Sequence, residues 1–459
     1  MWDSKDFDIT SGDIHDIGED QPEISFLPGM GASLYSMYPL TDMKSDDKML
    51  FNFFRNADNN NYRQVVLPLA YQSRLLLKAV LAVAANSARA HDARFHTAAL
   101  QYQTEALQGL QKSISKKNRT PFSRLEILGI ILMLCFFEIY SPTPGLIYAN
   151  NVPIRSWRAH SQGVRNLLKE CTFSNSHETH YERGILSFLG QYFASRSVLT
   201  YTAMSRNEDH ESVFRDATYW LTLADRQDTE INPFAGCSNE LLGLILSIAK
   251  EVRRQKTAQS PPSFTQREWA NEMKRRLQSI QQHPPVESSS ALINVLSGQS
   301  EANIPPEVSA EKTAEAFRLA ALILLEDTHY NRSTIDATEA VDPLSRMFQL
   351  LDSGYSIPPF GKLGSSSFLW PIFIAGCHLR CSQQQGTMLD LTTKLISGNE
   401  SDYWPRNTMA ERIQHVMIHV WLVTSRSNEA MAATEAGNGT GSFVWESGML
   451  TSKYVFEWS

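Results

Sequence analysis

From Ile127 to Phe137 the chain runs for 11 residues without a charged or polar side chain, until Glu138 interrupts it. Read at 3.6 residues per turn, Leu125 to Ile139 is a helix that is apolar almost all round. A membrane span needs ~20 such residues, so the run is too short to cross a bilayer. A helix with no polar face cannot lie on a surface either, and other helices must enclose it. The surrounding sequence supplies them. Leu75, Leu76, Ala79, Val80, Ala82, Val83 and Ala84 form one apolar helix that ends near Asn86–Asp92. Phe95 to Ile114 forms another, with Leu100, Ala106, Leu107, Leu110 and Ile114 assigned to one face.

The same periodicity continues after a Pro/Gly loop (Pro142, Pro144, Gly145, Pro153). It marks helices at Trp157 to Leu168 and then over roughly 183–204, 209–224, 238–256, 265–283, 309–331, 340–354, 366–382, 386–396 and 406–423. Stretches 257–264 and 284–308, rich in Pro, Ser and Gln, read as linkers or surface loops. No β-branched alternation bounded by Asn-Gly or Asp-Gly turns requires a strand, and no 34- or 40-residue repeat supports a solenoid. The expectation is an all-α, irregular multi-helix bundle.

Charge separates the first residues from the rest. Residues 1–25 hold eight acids (Asp3, Asp6, Asp8, Asp13, Asp16, Glu19, Asp20, Glu23) and one base, Lys5, which equals the whole formal charge of −7. Interleaved with them, and just beyond, are Trp2, Phe7, Ile9, Ile14, Ile17, Ile24, Phe26 and Leu27. With Pro22, Pro28, Gly29 and Gly31 nearby, residues 1–48 cannot bury a core and are expected to be a disordered acidic leader. Two readings stay open: a solvated tail, or an amphipathic acidic segment whose aromatics dock on a partner. A secretory signal is excluded, because it needs a positive start and an apolar stretch; a mitochondrial presequence would be Arg-rich.

The remaining residues balance their charges, so the chain lacks the basic excess of a free-standing nucleic-acid binder. Its five cysteines (Cys135, Cys171, Cys237, Cys377, Cys381) are scattered and read as reduced core residues of an intracellular protein. There is no Gly-rich phosphate loop, no G-x-S-x-G elbow and no H-E-x-x-H.

Few side chains suggest chemistry. His415 and His419 lie four apart on one predicted helix with Glu411 a further step back, a spacing that a metal could use. The apolar neighbours Val416, Ile418, Val420 and Trp421 favour packing or an interface instead. Cys377, His378 and Cys381 share a predicted helix, but a fourth ligand is lacking and C-x3-C is not a thiol-exchange spacing. His91, Asp92 and His96 could form an acid–base group, or simply a solvated turn between helices. Trp157 with His160, just after the Pro/Gly loop, reads as an aromatic clamp on the core or an effector contact. The basic clusters Lys250/Arg253/Arg254/Lys256 and Lys274/Arg275/Arg276 read as solvated helix faces rather than import signals. No metal and no cofactor is expected.

Several segments together resemble the fungal-specific transcription factor domain, the regulatory region of fungal binuclear-zinc-cluster regulators, and within it the subgroup that includes acriflavine-sensitivity control proteins. They are LLLKAVLAVAANSARAHD (75–92) with AALQYQTEALQGLQKSI (98–114), ILMLCFFEIY (131–140) with SWRAHSQGVRNLL (156–168), NPFAGCSNELLGLILSIAKEV (232–252), and FLWPIFIAGCHLRC (368–381) with RIQHVMIHVW (412–421). The resemblance implies a regulatory helical domain over residues 49–430, followed by a tail, 431–459.

The departure from the family pattern is equally plain. The zinc cluster ahead of this domain uses six cysteines, whereas the first cysteine here is Cys135 and no C-x2-C pair occurs. Either an upstream exon carries the cluster, or this member works without its own DNA reader.

The resemblance implies a nuclear regulator or co-regulator of a fungal metabolic or secondary-metabolite pathway. It would act with other transcription regulators or the transcription machinery and reach DNA only indirectly, without a membrane. A homodimer and a hydrophobic small-molecule effector fit the same reading. Candidate pocket residues are Trp157, His160, Trp370, His378, His415 and His419. Two alternatives stand beside it. One is a recruited enzyme that shapes a hydrophobic intermediate for cyclisation or rearrangement by positioning alone. The other is a partner that sequesters full-length regulators.

Overall fold

The structure is a computed structural model describing residues 43–56, 63–89, 92–115, 121–139, 162–167, 180–203, 210–223, 229–232, 235–257, 263–284, 306–326, 343–347, 349–350, 365–379, 381–397 and 408–433. Its helices are α1 (Ser45–Asn56), α2 (Arg63–Ala70), α3 (Arg74–Ala88), α4 (Phe95–Ile114), α5 (Pro121–Ile139), α6 (His180–Ala203), α7 (His210–Leu223), α8 (Asn239–Thr257), α9 (Phe264–Ser279), α10 (Pro306–Glu326), α11 (Ser365–Cys377), α12 (Ser382–Ser397) and α13 (Thr408–Ala433). A further helical turn covers 162–167. The all-α expectation holds: among the described residues β-pairing is confined to two isolated bridges, Glu230 with His283 and Ile231 with Ser238. Residues 1–42 of the acidic leader and 434–459 of the tail lie outside the described residues, but the expected leader ends too late: its last residues, 45–48, already form the first turn of α1.

The apolar helix takes the predicted place. Ile127, Leu128, Ile130 and Met133 of α5 are fully buried, and the helix packs against α2, α3 and α4. α3 starts at Ser73, whose hydroxyl accepts from the Leu76 N–H at 2.9 Å and donates to the Glu126 carboxylate on α5. One N-cap residue thus satisfies an orphan donor and ties two helices together. Among the described residues, no helix is long and apolar enough to cross a membrane.

On α4 the structure corrects the expected face. Phe95, Ala99, Tyr102, Ala106 and Leu110 point inward, whereas Leu100, Leu107 and Ile114 stand in solvent at 44%, 41% and 47% exposure. The helix carries two apolar rows. Residues 95, 99, 102, 106 and 110 follow the 3.6-residue repeat, so they stay on one side; a seven-residue row lies beside them. Periodicity alone could not say which row α3 and α5 would cover.

Three predicted helices also end differently. The 265–283 pattern stops at Ser279, because 280–283 turns extended: Ile231 N–H bonds the His283 carbonyl at 2.8 Å and His283 N–H bonds that of Thr229 at 3.0 Å. The 366–382 pattern breaks after Cys377, so Cys377 and Cys381 share no helix; Cys377 is buried and Cys381 exposed. Cys135 and Cys237 are buried free thiols as expected, so the core reading fails only for Cys381, while Cys171 lies outside the described residues. The 406–423 pattern continues to Ala433 in α13.

Two apolar cores follow one another along the chain and meet on α6. Its Phe188, Leu189, Tyr192, Phe193 and Ala194 pack with α1–α5, while Val198, Leu199, Tyr201 and Ala203 pack with α8, α10, α11 and α13. At 24 residues the helix is ~36 Å long, enough to reach through both. Before α8, Gly236 turns the chain with φ 79°, its N–H bonding the Asn232 carbonyl at 2.8 Å. A Cβ is disfavoured at that φ, so Gly236→Ala is expected to lower stability by about 1–2 kcal/mol, read as a shift of the urea midpoint.

Tyr102 offers a pH test of the α1–α4 contact. Its hydroxyl donates to Asp47 of α1, and Lys78 lies 4.6 Å from its ring centroid. Burial first, then the Asp47 hydrogen bond and the charges of Asp47, Glu105 and Asp46, push the phenol well above the usual tyrosine range. The folded state therefore keeps a proton that the unfolded chain loses near pH ~10, so this stability is full below ~10 and is lost as pH rises further. Above that pH, unfolding free energy is expected to fall more steeply in the parent than in Tyr102→Phe, as followed by circular dichroism in urea.

Candidate functional site

The polar residues of α6 sit where the two cores meet. Ser195, Arg196, Ser197, Thr200 and Thr202 are all buried, Arg196 at 3% exposure. A polar group in such surroundings carries a desolvation cost unless it finds a partner. Two of the hydroxyls find one on their own helix. Ser195 donates to the Tyr192 carbonyl at 2.9 Å and Thr202 to that of Leu199 at 2.6 Å.

The hydroxyls of Ser197 and Thr200 behave differently, for neither has a hydrogen-bond partner. Positions 193, 196, 197 and 200 fall on one face, three or four residues apart. The Arg196 guanidinium lies 5.3 Å from the Tyr192 ring centroid. Phe193, one turn before Ser197, is stacked on Trp220 of α7 at 5.0 Å; the buried indole N–H of Trp220 also lacks a partner. Ser197 and Thr200 thus leave two open hydroxyls on one face of a buried helix. Its natural complement is an oxygen acceptor, a carbonyl or carboxylate, on an otherwise apolar body.

The pocket residues expected from sequence lie elsewhere, and the structure does not gather them. Trp370 on α11 is fully buried, stacks on Phe317 of α10 at 5.4 Å, and donates its indole N–H to Thr202 at 2.8 Å. It touches α6 on the edge opposite Ser197 and Thr200. His378 is half-buried just past α11, with Nδ1 donating to the Ile374 carbonyl at 2.7 Å. His415 is exposed and His419 half-exposed on α13, while Ile413, Val416, Met417 and Val420 face the core. Trp157 and His160 lie outside the described residues.

Other clusters resolve into local pairs. Asp92 accepts from the Arg94 side chain at 2.8 Å, which holds its carboxyl below the usual range; His91 lies outside the described residues. On α8, Lys250 sits over the Phe214 ring at 3.9 Å, Arg253 donates to the Tyr201 carbonyl at 2.8 Å, and Arg254 pairs with Glu251. On α9, Arg275 pairs with Glu272, and Arg276 lies 3.7 Å from Glu240. Among the described residues, no three His, Cys, Asp or Glu side chains gather as a metal site would require.

The fungal specific transcription factor domain family matches residues 47–452, nearly the whole of this bundle. The chain belongs to that family. No curated protein and no solved structure matches it. Membership in the fungal specific transcription factor domain family makes transcriptional regulation the function class, and the two-core bundle is the regulatory domain's body. The α6 face was missed from sequence, although Ala194-Ser-Arg-Ser-Val198 inside an apolar helix was a usable signal. Three consecutive polar residues within a run that must cross a core need an explanation beyond solubility.

Proposed function

We propose that this chain is a nuclear transcriptional regulator or co-regulator of a fungal metabolic or secondary-metabolite pathway, close to the acriflavine-sensitivity-control subgroup. It acts with other regulators or the transcription machinery, reaches DNA through them, and can form a homodimer. Its domain receives a largely apolar metabolite whose carbonyl or carboxylate meets Ser197 and Thr200. The observation that carries the effector reading is the pair of buried, unpartnered hydroxyls on the face of α6 where the two cores join. A ligand seated there would contact the helix common to both cores and so bias how they pack, which a regulatory domain requires.

Deletion of the gene, with pathway transcripts and metabolites measured together, tests this function. Transcripts of several pathway genes are expected to fall in concert. If they hold steady while a single intermediate accumulates, the chain is an enzyme acting on that intermediate and the regulator reading fails.

A further inference from the structure

The exposed row on α4 calls for an occupant. Leu100, Leu107 and Ile114 recur every seven residues, so they form a line along the helix, ~21 Å from first to last. Scattered exposed leucines are ordinary, but three in register on one 20-residue helix form a strip. The other exposed positions of α4 are His96, Thr97, Gln101, Thr104, Gln108, Gln111 and Lys112; none is acidic, and Glu105 is engaged by Lys78 at 3.4 Å. The sequence beyond the helix adds Lys116, Lys117 and Arg119. Along the described helix the strip is apolar, and Lys112 is exposed near its C-terminal end.

The chain contains a segment with the complementary character. Residues 1–42 precede the described structure and hold nine acids, eight of them within 1–25 and interleaved with Trp2, Phe7, Ile9, Ile14 and Ile17. Their attachment point is close at hand, because α1 begins at Ser45 and its Asp47 accepts a hydrogen bond from Tyr102 in the middle of α4. Fully extended chain advances ~3.3 Å per residue, so about seven residues cover the strip and the rest of the leader suffices as tether.

We propose that the strip formed by Leu100, Leu107 and Ile114 is the docking site for the chain's own acidic leader, which places the leader's apolar residues on α4 and its carboxylates toward Lys112. A second copy of the chain is a poorer occupant. Stable association between separate molecules buries ~800 Å² on each partner, and one row of three partly exposed aliphatic side chains falls well short of that. A tethered segment needs far less, because its effective concentration reaches the millimolar range and most of the association entropy is already lost. Docking would withhold the leader from other proteins until something displaces it. This inference does not depend on the effector site at α6.

Zero-length carbodiimide cross-linking of the full chain tests it, using an equal mixture of 14N- and 15N-labelled protein read by peptide mass spectrometry. The expected products join leader carboxylates to Lys112, Lys116 or Lys117, in same-isotope pairs only, with a yield independent of protein concentration. The variant Leu100→Gln/Leu107→Gln/Ile114→Gln alters only exposed positions and is expected to keep the parent melting curve while losing these products at least roughly fivefold. Mixed-isotope products would assign the strip to a second copy and overturn the proposal. So would the absence of leader products, or a yield that salt lowers but the triple variant leaves unchanged.

Discussion

Trp370→Ala is expected to cost about 3–5 kcal/mol of folding stability, at the upper end of what a single substitution removes. Trp370 is fully buried, stacked on Phe317 at 5.4 Å, and hydrogen-bonded to Thr202, which lies 168 residues earlier in the chain. Its removal opens a cavity among α6, α10 and α11 and also forfeits a stacked aromatic pair, worth about 0.5–1.5 kcal/mol beyond its buried area. Against a typical total of ~5–15 kcal/mol, that is a large share. Trp370→Phe separates the contributions. It keeps most of the apolar volume and removes the N–H donor, while Thr202 still bonds the Leu199 carbonyl, so the expected cost is only about 1–2 kcal/mol. Urea unfolding followed by far-ultraviolet circular dichroism measures both. Equal losses for Ala and Phe would mean that the hydrogen bond, not the aromatic seat, holds the second core to α6.

The second large effect is functional and has the opposite sign for stability. Ser197→Ala/Thr200→Val removes two buried hydroxyls that have no partner, with little change of shape. An unsatisfied buried polar group costs about 1–3 kcal/mol, so the double variant is expected to be at least as stable as the parent and about 1 kcal/mol more stable if the site relaxes little. At the same time a reporter for pathway transcription is expected to lose its response to the inducing metabolite, because the effector's oxygen no longer meets those groups. A group that destabilises the free protein and serves the bound one is what function at a cost in stability looks like. A stabilised variant that keeps full induction would remove α6 as the effector site. A destabilised one would show that the hydroxyls support the helix itself.

How much of this was legible beforehand varies element by element. The burial of α5 was readable because an all-round apolar helix has only one kind of environment open to it. The inward face of α4 was not, since Ala99, Tyr102 and Ala106 compete with Leu100, Leu107 and Ile114, and hydrophobicity alone prefers the second set. The end of α9 at Ser279 was hidden for a similar reason: the bonds that draw 280–283 out of the helix come from Thr229 and Ile231, far back in the chain. Of the candidate site residues, Trp370 was legible as a large side chain in an apolar run, but its link to Thr202 was not. Ser197 and Thr200 looked like the other hydroxyls of α6; only the finished packing separates those that reach a carbonyl from those that do not.

The sequence by itself determined the class of fold, the enclosed helix and the acidity of the leader, because each rests on composition or on a period repeated over many residues; the family showed in the resemblance of several separate segments. Tertiary structure alone decided which of two apolar rows α4 buries, where the helices end, that two cores meet on α6, and which polar groups there stay open. Those outcomes depend on contacts between residues far apart in the chain, and a local pattern holds no information about which distant surface will arrive to cover it.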